Sequence, residues 1–252
     1  MRLEYMTWPK AEEYFKNDGT VIIGVGSIEC HGRHMPLGTD MLIPNKLLSL
    51  IEEKTDVMIA PTIPYGATEY LREYPGTISI KDEVLYNYLL CVVEGLYSHG
   101  ARKFLILNGH GGNTKVIERV AVEMDKKNCV TAVLNWWKMV WDMDPEWKGG
   151  HGGAEETAAI MGIDPDLVDK SEIGPELKLY DVTPNIKTTG FTTVKFKGVE
   201  FNIPRSVRKV TDSGWVGPDH PSKATEEWGR EMLRTCADYV ADLAEEFKKI
   251  KV

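Results

Sequence analysis

The sequence predicts an α/β fold, a three-layer sandwich in which a largely parallel central sheet is covered by helices on both faces. Two observations predict it. Four short runs, TVIIGVG (20–26), VMIAP (57–61), KFLILN (103–108) and VTAVLN (130–135), are predominantly apolar rather than alternating, the pattern of strands buried on both faces. Between them lie stretches with helical spacing, and strand–helix alternation of this kind builds parallel sheets. At 252 residues and 42% hydrophobic, the chain can close one domain over 1–252, and a collagenous, disordered or cysteine-stapled chain is excluded.

The elements follow in order. Residues 7–17 read as a short helix, with Thr7 placed to cap it, Pro9 in its first turn and Asp18-Gly19 ending it. The first strand runs from Thr20 to Gly26, a helix from Ile43 to Lys54, and a second strand from Val57 to Pro61, where proline is expected to stop it. KDEVLYNYLLCVVEGLYSH, 81–99, is a long amphipathic helix closed by Gly100. The third strand, the loop 109–113, a helix over 114–125, the fourth strand and a helix from Ala154 to Gly162 complete the alternation. An irregular excursion around 164–213 carries a hairpin over 191–202, and residues 221–249 return to helix with Ser222 as its cap.

Charge and cysteine usage narrow the function classes. With 30 Lys+Arg against 38 Asp+Glu and a net charge of -8, the surface repels phosphate backbones and anionic lipid, so no nucleic acid and no membrane partner is expected. Cys30, Cys91, Cys129 and Cys236 are far apart, as befits reduced thiols. The amino terminus lacks the apolar core of a signal peptide, and no stretch approaches the ~18 apolar residues of a membrane span. A cytoplasmic protein acting on a small-molecule substrate is the resulting expectation.

The chemistry collects where the strands end. GSIECHGRHMPLGTD, 26–40, holds Glu29, His31, His34 and Asp40 after the first strand, NGHGGN, 108–113, holds His110 after the third, and GGHGGAEET, 149–157, holds His151, Glu155 and Glu156 before a helix. Imidazole and carboxylate are ligands that zinc or manganese accepts, and glycines let the loops converge. A satisfied hydrogen-bond network is the plain alternative. Neither GxxxxGK[ST] nor GxGxxG is present, which argues against a nucleotide cradle. With only 6 histidines in the chain, their gathering in these motifs carries the signal.

Together with GWVGPDHPSKATEEWG, 214–229, these motifs resemble the creatininase family, the creatinine amidohydrolases, over nearly the whole chain. The resemblance implies an α/β sandwich, often hexameric, with two divalent metal ions per subunit, zinc first and manganese or iron as alternatives. It implies hydrolysis of amide or related bonds in small, often cyclic molecules. Members act on creatinine, deformylate a pyrimidine intermediate of deazaflavin synthesis, trim a peptide in mycofactocin maturation or open an inositol-derived ring. By resemblance Glu29 and His110 look like ligands of one metal, His31 like a ligand of the other, and Asp40 like the bridge between them. The creatinine-hydrolysing pattern has a glutamate where this chain has Gly112, and Glu156 is expected to complete the second site instead.

His151 is expected to be catalytic, as a proton shuttle or oxyanion stabiliser, with a loop-fixing hydrogen bond as the alternative. Glu155, adjacent on the helix, is expected to be an exposed charge, and His34 to orient a neighbour or face substrate rather than ligate. Arg33 stands where the family has proline, either to hold a substrate oxygen or to face solvent. Cys30 reads as a buried spacer. Trp136, Trp137, Trp141 and Trp147 read mainly as core or subunit contact, with one or two lining a pocket, and residues 61–77 as a substrate loop with Tyr65 and Glu69. The sequence thus points to a metal-dependent hydrolase of a small amide, lactam or N-formyl substrate acting through metal-bound hydroxide and forming a homo-oligomer. Hydrolytic carbon–carbon ring opening of an inositol-derived diketone such as 3-dehydro-scyllo-inosose and non-catalytic metal binding are the alternatives.

Overall fold

The computed structural model describes residues 1–252. Helix α1 (Trp8–Asn17) leads into strand β1 (Thr20–Val25), which is followed by α2 (Thr39–Glu52), β2 (Met58–Ile63), α3 (Asp82–Ser98), β3 (Lys103–Asn108), α4 (Thr114–Asp125) and β4 (Val130–Asn135). These four strands form one sheet in the order β2-β1-β3-β4 with every neighbour parallel. Each strand's period of two divides the core. Ile22, Ile59, Leu105 and Leu107 face one helical layer, while Val21, Ile23, Met58, Phe104 and Ile106 face the other. The first layer holds α2, α5 (Trp136–Met143), α6 (Ala154–Ile163) and α7 (Glu226–Lys248), and the second holds α1, α3 and α4. This is the three-layer sandwich the apolar runs predict.

The strand order fixes where a site can form. From β1 the chain goes to one side, to β2, and then crosses back to place β3 on the other side of β1. The loops leaving β1 and β3 therefore diverge and open a crevice at the carboxyl ends of these strands. The motifs with Glu29, His31 and His110 are those two loops.

Several boundaries differ from expectation. Strand β2 continues through Pro61 to Ile63 because it is an edge strand, where a missing N–H breaks no ladder. Helix α2 begins at Thr39, not Ile43, and brings Asp40 into its first turn, where a carboxylate suits the helix dipole. The Thr7 side chain makes no cap bond. At the last helix Ser222 falls in a separate 3-10 turn, Pro221–Lys223, and Thr225 is the cap, accepting from the Trp228 N–H at 3.1 Å. The excursion contains the expected hairpin as β6 (Thr193–Phe196) and β7 (Val199–Asn202), joined by a third antiparallel strand, β5 (Lys187–Thr188). No helix is long and apolar enough to cross a membrane.

Candidate metal centre

Asp40 is the hub of the crevice. Its Oδ1 lies 2.9 Å from His31 Nε2 and its Oδ2 3.0 Å from His110 Nδ1. Local sequence puts it there. Pro44, four residues on, lacks the N–H that would bond the Asp40 carbonyl. The strand-end glycines pass close to the freed carbonyl, so that a Cβ on Gly26 or Gly109 would lie 2.8 or 1.9 Å from the Asp40 oxygen. Glycine at those two positions is what lets α2 seat its first turn between the loops of β1 and β3.

Around Asp40 the side chains fall into two main groups. Glu29 Oε2 is 3.1 Å from His110 Nδ1, so that Glu29, Asp40 and His110 converge, while Glu156 Oε2 is 3.6 Å from His31 Nε2, so that His31, Asp40 and Glu156 converge. A third grouping joins Glu29, His31 and His151, with His151 Nδ1 3.8 Å from Glu29 Oε1. Ligands about 2.1 Å from a tetrahedral ion sit ~3.4 Å apart, and these separations bracket that value.

Each imidazole is aimed by a backbone carbonyl. His31 Nδ1 donates to Glu29 O at 3.1 Å, His110 Nε2 to Ala67 O at 3.0 Å, and His151 Nε2 to Cys30 O at 2.8 Å. In every case the other ring nitrogen is left facing the carboxylates, the arrangement that fixes tautomer and direction in metal-binding histidines. Glu156 is held by the Gly152 N–H, 2.6 Å from its Oε2. Glu29 Oε1, His31 Nε2 and Asp40 Oδ2 are buried without a hydrogen-bond partner. Buried polar atoms are rarely left so, and divalent cations bound between these groups would satisfy them, so the donor set fits.

The electrostatics agree. Burial opposes charge on His31, yet Asp40, Glu156 and Glu29 outweigh it and hold the ring's pKa up at about 10. Burial likewise opposes charge on His110, and Glu29 and Asp40 raise it well above the ordinary value. Asp40 is held below the usual carboxylate range by both histidines despite its burial. Burial pushes Glu156 up to about 7, with His31 opposing and Asp40 adding to the rise. The cluster thus has an excess of anionic groups that proton or metal must neutralise. His151 differs, because burial and the nearby His31 drive it down to about 3 and keep it neutral.

The structure brings Glu29, His31, Asp40, His110, His151 and Glu156 together, and it excludes His34 from direct contact. The His34 Nε2 donates to Thr157 Oγ1 at 2.9 Å, since that hydroxyl gives its own hydrogen to Gly153 O at 2.7 Å. Arg33 points outward and pairs with Glu172 at 2.6 Å, its side chain 68% exposed. Cys30 is buried, with its thiol pushed up to about 11 by burial. Trp136 and Trp147 belong to the core, Trp137 and Trp141 pack against it, and Trp137 is 3.9 Å from the position a Cβ on Gly111 would take. The 61–77 loop reaches the centre through Ala67 O, while Tyr65 is exposed and Glu69 pairs with Arg72.

Glu155 corrects the sequence reading. It is 1% exposed, with burial first and Glu156 second raising its pKa well above the ordinary value. Helix α6 is wrapped on nearly all sides, so the divergence of adjacent side chains sends one glutamate to the metal centre and the other into the interior rather than to solvent. Phe191 went unrecognised in the sequence. Its ring meets His151 edge-on with centroids 5.1 Å apart and Tyr70 at 6.4 Å. No local pattern flags a phenylalanine arriving from the excursion.

A parallel α/β sandwich with paired His/Asp/Glu clusters at its topological switch supports a metal-dependent hydrolase in general terms. The creatinine amidohydrolase family model matches residues 4–244, and the chain belongs to the creatininase family. It is 35% identical over 190 residues to the 3-dehydro-scyllo-inosose hydrolase of Thermotoga maritima, covering 74% of this chain and 60% of that one. It is 31% identical over 237 residues to the mycofactocin precursor peptide peptidase of Mycolicibacterium smegmatis, covering 87% and 83%. The solved structure described as "Creatininase Mn" superposes with a TM-score of 0.79 at 23% identity over 99% of both chains, a likeness of fold.

Proposed function

We propose that the protein is a two-metal hydrolase of a small amide, lactam or N-formyl substrate. The observation that carries this is Asp40, which turns one carboxylate oxygen to His31 and the other to His110 and so can bridge two ions. Glu29, Asp40 and His110 would hold one ion, and His31, Asp40 and Glu156 the other. Zinc is the first expectation and manganese the second, given the imidazole and carboxylate donors. When bound, the ions would supply acidity to a water and polarise the scissile carbonyl.

The chain's own groups do the rest. His151, its Nε2 hydrogen committed to Cys30 O, has a lone pair on Nδ1 for the proton released on attack. A neutral imidazole can take that proton at Nδ1 and pass it to the leaving nitrogen. Gly112, where the creatinine-hydrolysing pattern has glutamate, argues against creatinine itself. Assembly as a homo-oligomer, specifically a hexamer, belongs to the same reading and is tested by sedimentation.

The deciding experiment is a screen of metal-loaded protein against cyclic amides, N-formyl compounds and inositol-derived ketones. Turnover of amides or formamides is expected. Rapid turnover of a ring diketone with inert amides would establish the second reading, carbon–carbon ring opening, which the 35% identity to the inosose hydrolase favours. Inactivity throughout, with two ions bound, would strengthen the reading of a non-catalytic metal-binding protein.

A further inference from the structure

Glu156 is the third residue of α6, and its side chain reaches back past the N-cap to accept from the Gly152 N–H. The helix has no side-chain cap of its own. The N-cap is Gly153, which has no side chain to accept from the first turn. The acceptor comes from 64 residues further along the chain, where Asp219 Oδ2 takes the Glu155 N–H at 2.9 Å. The same segment bonds the other side of the site, since the Val216 N–H donates to His151 O at 2.8 Å.

The glycine at 153 is not there for its conformation. Its φ of -84° and ψ of -166° are extended values open to any residue and normal for an N-cap. The three atoms nearest to a side chain there all belong to Asp219. A Cβ on Gly153 would meet Asp219 Oδ1 at 2.3 Å, Cγ at 2.8 Å and Oδ2 at 2.9 Å, and nothing else lies nearer. A Cβ on Gly149 would also crowd the same carboxylate, 2.8 Å from Oδ2. The HGG motif is cut away to admit a carboxylate from the far motif.

We infer that Asp219 is a positioning residue for the second metal ion: it replaces the missing N-cap of α6 and thereby aims Glu156. The inference rests on the two-ion reading of the site. Helix α6 could have been capped locally by serine, but a cap supplied from 219 ties Glu156 and His151 to one segment, so that both are set together.

The test is zinc binding to chelator-stripped protein, read as stoichiometry and affinity by competition with a chromophoric chelator, beside the melting temperature of the metal-free protein. Wild type is expected to take two ions. Asp219→Ala should weaken one of them by ~10–100-fold, as loss of an outer partner of a ligand does, and leave the other unchanged. Asp219→Asn, whose amide oxygen can still accept the Glu155 N–H, should recover most of the loss. Gly153→Ser should weaken zinc binding in the wild-type background, where it strikes Asp219, and strengthen it in the Asp219→Ala background, where the space is free and the hydroxyl restores the cap. That reversal of sign is the specific signature. Unchanged affinity for both ions in Asp219→Ala, with only the melting temperature lowered, would overturn the inference and leave Asp219 a structural residue. If Asp219→Ala does not fold, Asp219→Asn and the Gly153→Ser/Asp219→Ala pair carry the test, and a double variant that folds but binds no better than one ion overturns it. Wild type that binds no zinc overturns the two-ion reading itself, a result distinct from an intact wild type with an indifferent Asp219.

Discussion

Asp40 and His151 occupy the same few ångströms and should fail differently when removed. Asp40→Ala takes a donor from both groups, so both ions should weaken by more than the ~100-fold that loss of an outer partner costs, with turnover lost in parallel. His151→Ala should keep two ions by elemental analysis and lower kcat by ~10²–10⁴-fold, the span of a lost acid–base group. Gly112 tests the departure from the creatinine-hydrolysing pattern. A Cβ there would lie 2.1 Å from Ala67 O and 2.4 Å from His110 Nε2. Gly112→Glu should therefore displace His110 and reduce metal content rather than add a ligand. The sequence shows that a glutamate is absent from 112, whereas the reason that none fits is a contact with a loop 45 residues earlier.

At the scale of elements, helix starts decide which side chains reach the crevice. Thr225 caps α7 and touches nothing in the metal centre, so Thr225→Ala should lower stability by about 1 kcal/mol in urea unfolding and leave zinc stoichiometry unchanged. The caps near the site behave otherwise, because α2 and α6 each hold a metal-facing carboxylate in their first turn. The start of α6 was legible at Ala154, whereas that of α2 was not. The helix was expected from Ile43, yet it starts four residues earlier, at Thr39, with Pro44 inside it, and the packing of Gly26 and Gly109 on the Asp40 carbonyl shows how that geometry is accommodated. All four strands were legible within a residue or two, because their short, mainly apolar runs stand out between helical stretches. Pro61 misled because an edge strand tolerates what a central strand does not.

For the whole molecule, the buried cluster links metal, pH and stability. In the metal-free protein the pKa of His31 rises from an ordinary 6.5 to about 10, so its contribution to stability is complete below pH ~6.5 and disappears as pH rises through 10. Glu156, raised by burial to about 7, binds a proton more tightly folded than unfolded, so its contribution also falls as pH rises from its ordinary 4.5 through 7. Both signs agree. Metal competes with these protons and binds more tightly as they leave. The gap in melting temperature between zinc-loaded and chelator-treated protein should therefore widen from pH 6 to pH 9, by differential scanning calorimetry. A gap that narrows over that range would contradict the proposed ligand set.

What the sequence by itself determined is the layered α/β architecture and a set of His and carboxylate candidates in three motifs, which the creatininase resemblance narrowed to Glu29, His31, Asp40, His110, His151 and Glu156. Both are local signals, apolar runs of strand length and rare polar residues at the ends of such runs. The tertiary structure alone decided that Glu155 turns inward, that Phe191 meets His151, that Gly112 has no room to change and that Asp219 caps α6. Each of those facts depends on groups tens to more than a hundred residues apart meeting in space, and the periodicity of a chain records which face of its own element a residue occupies, not what is packed against that face.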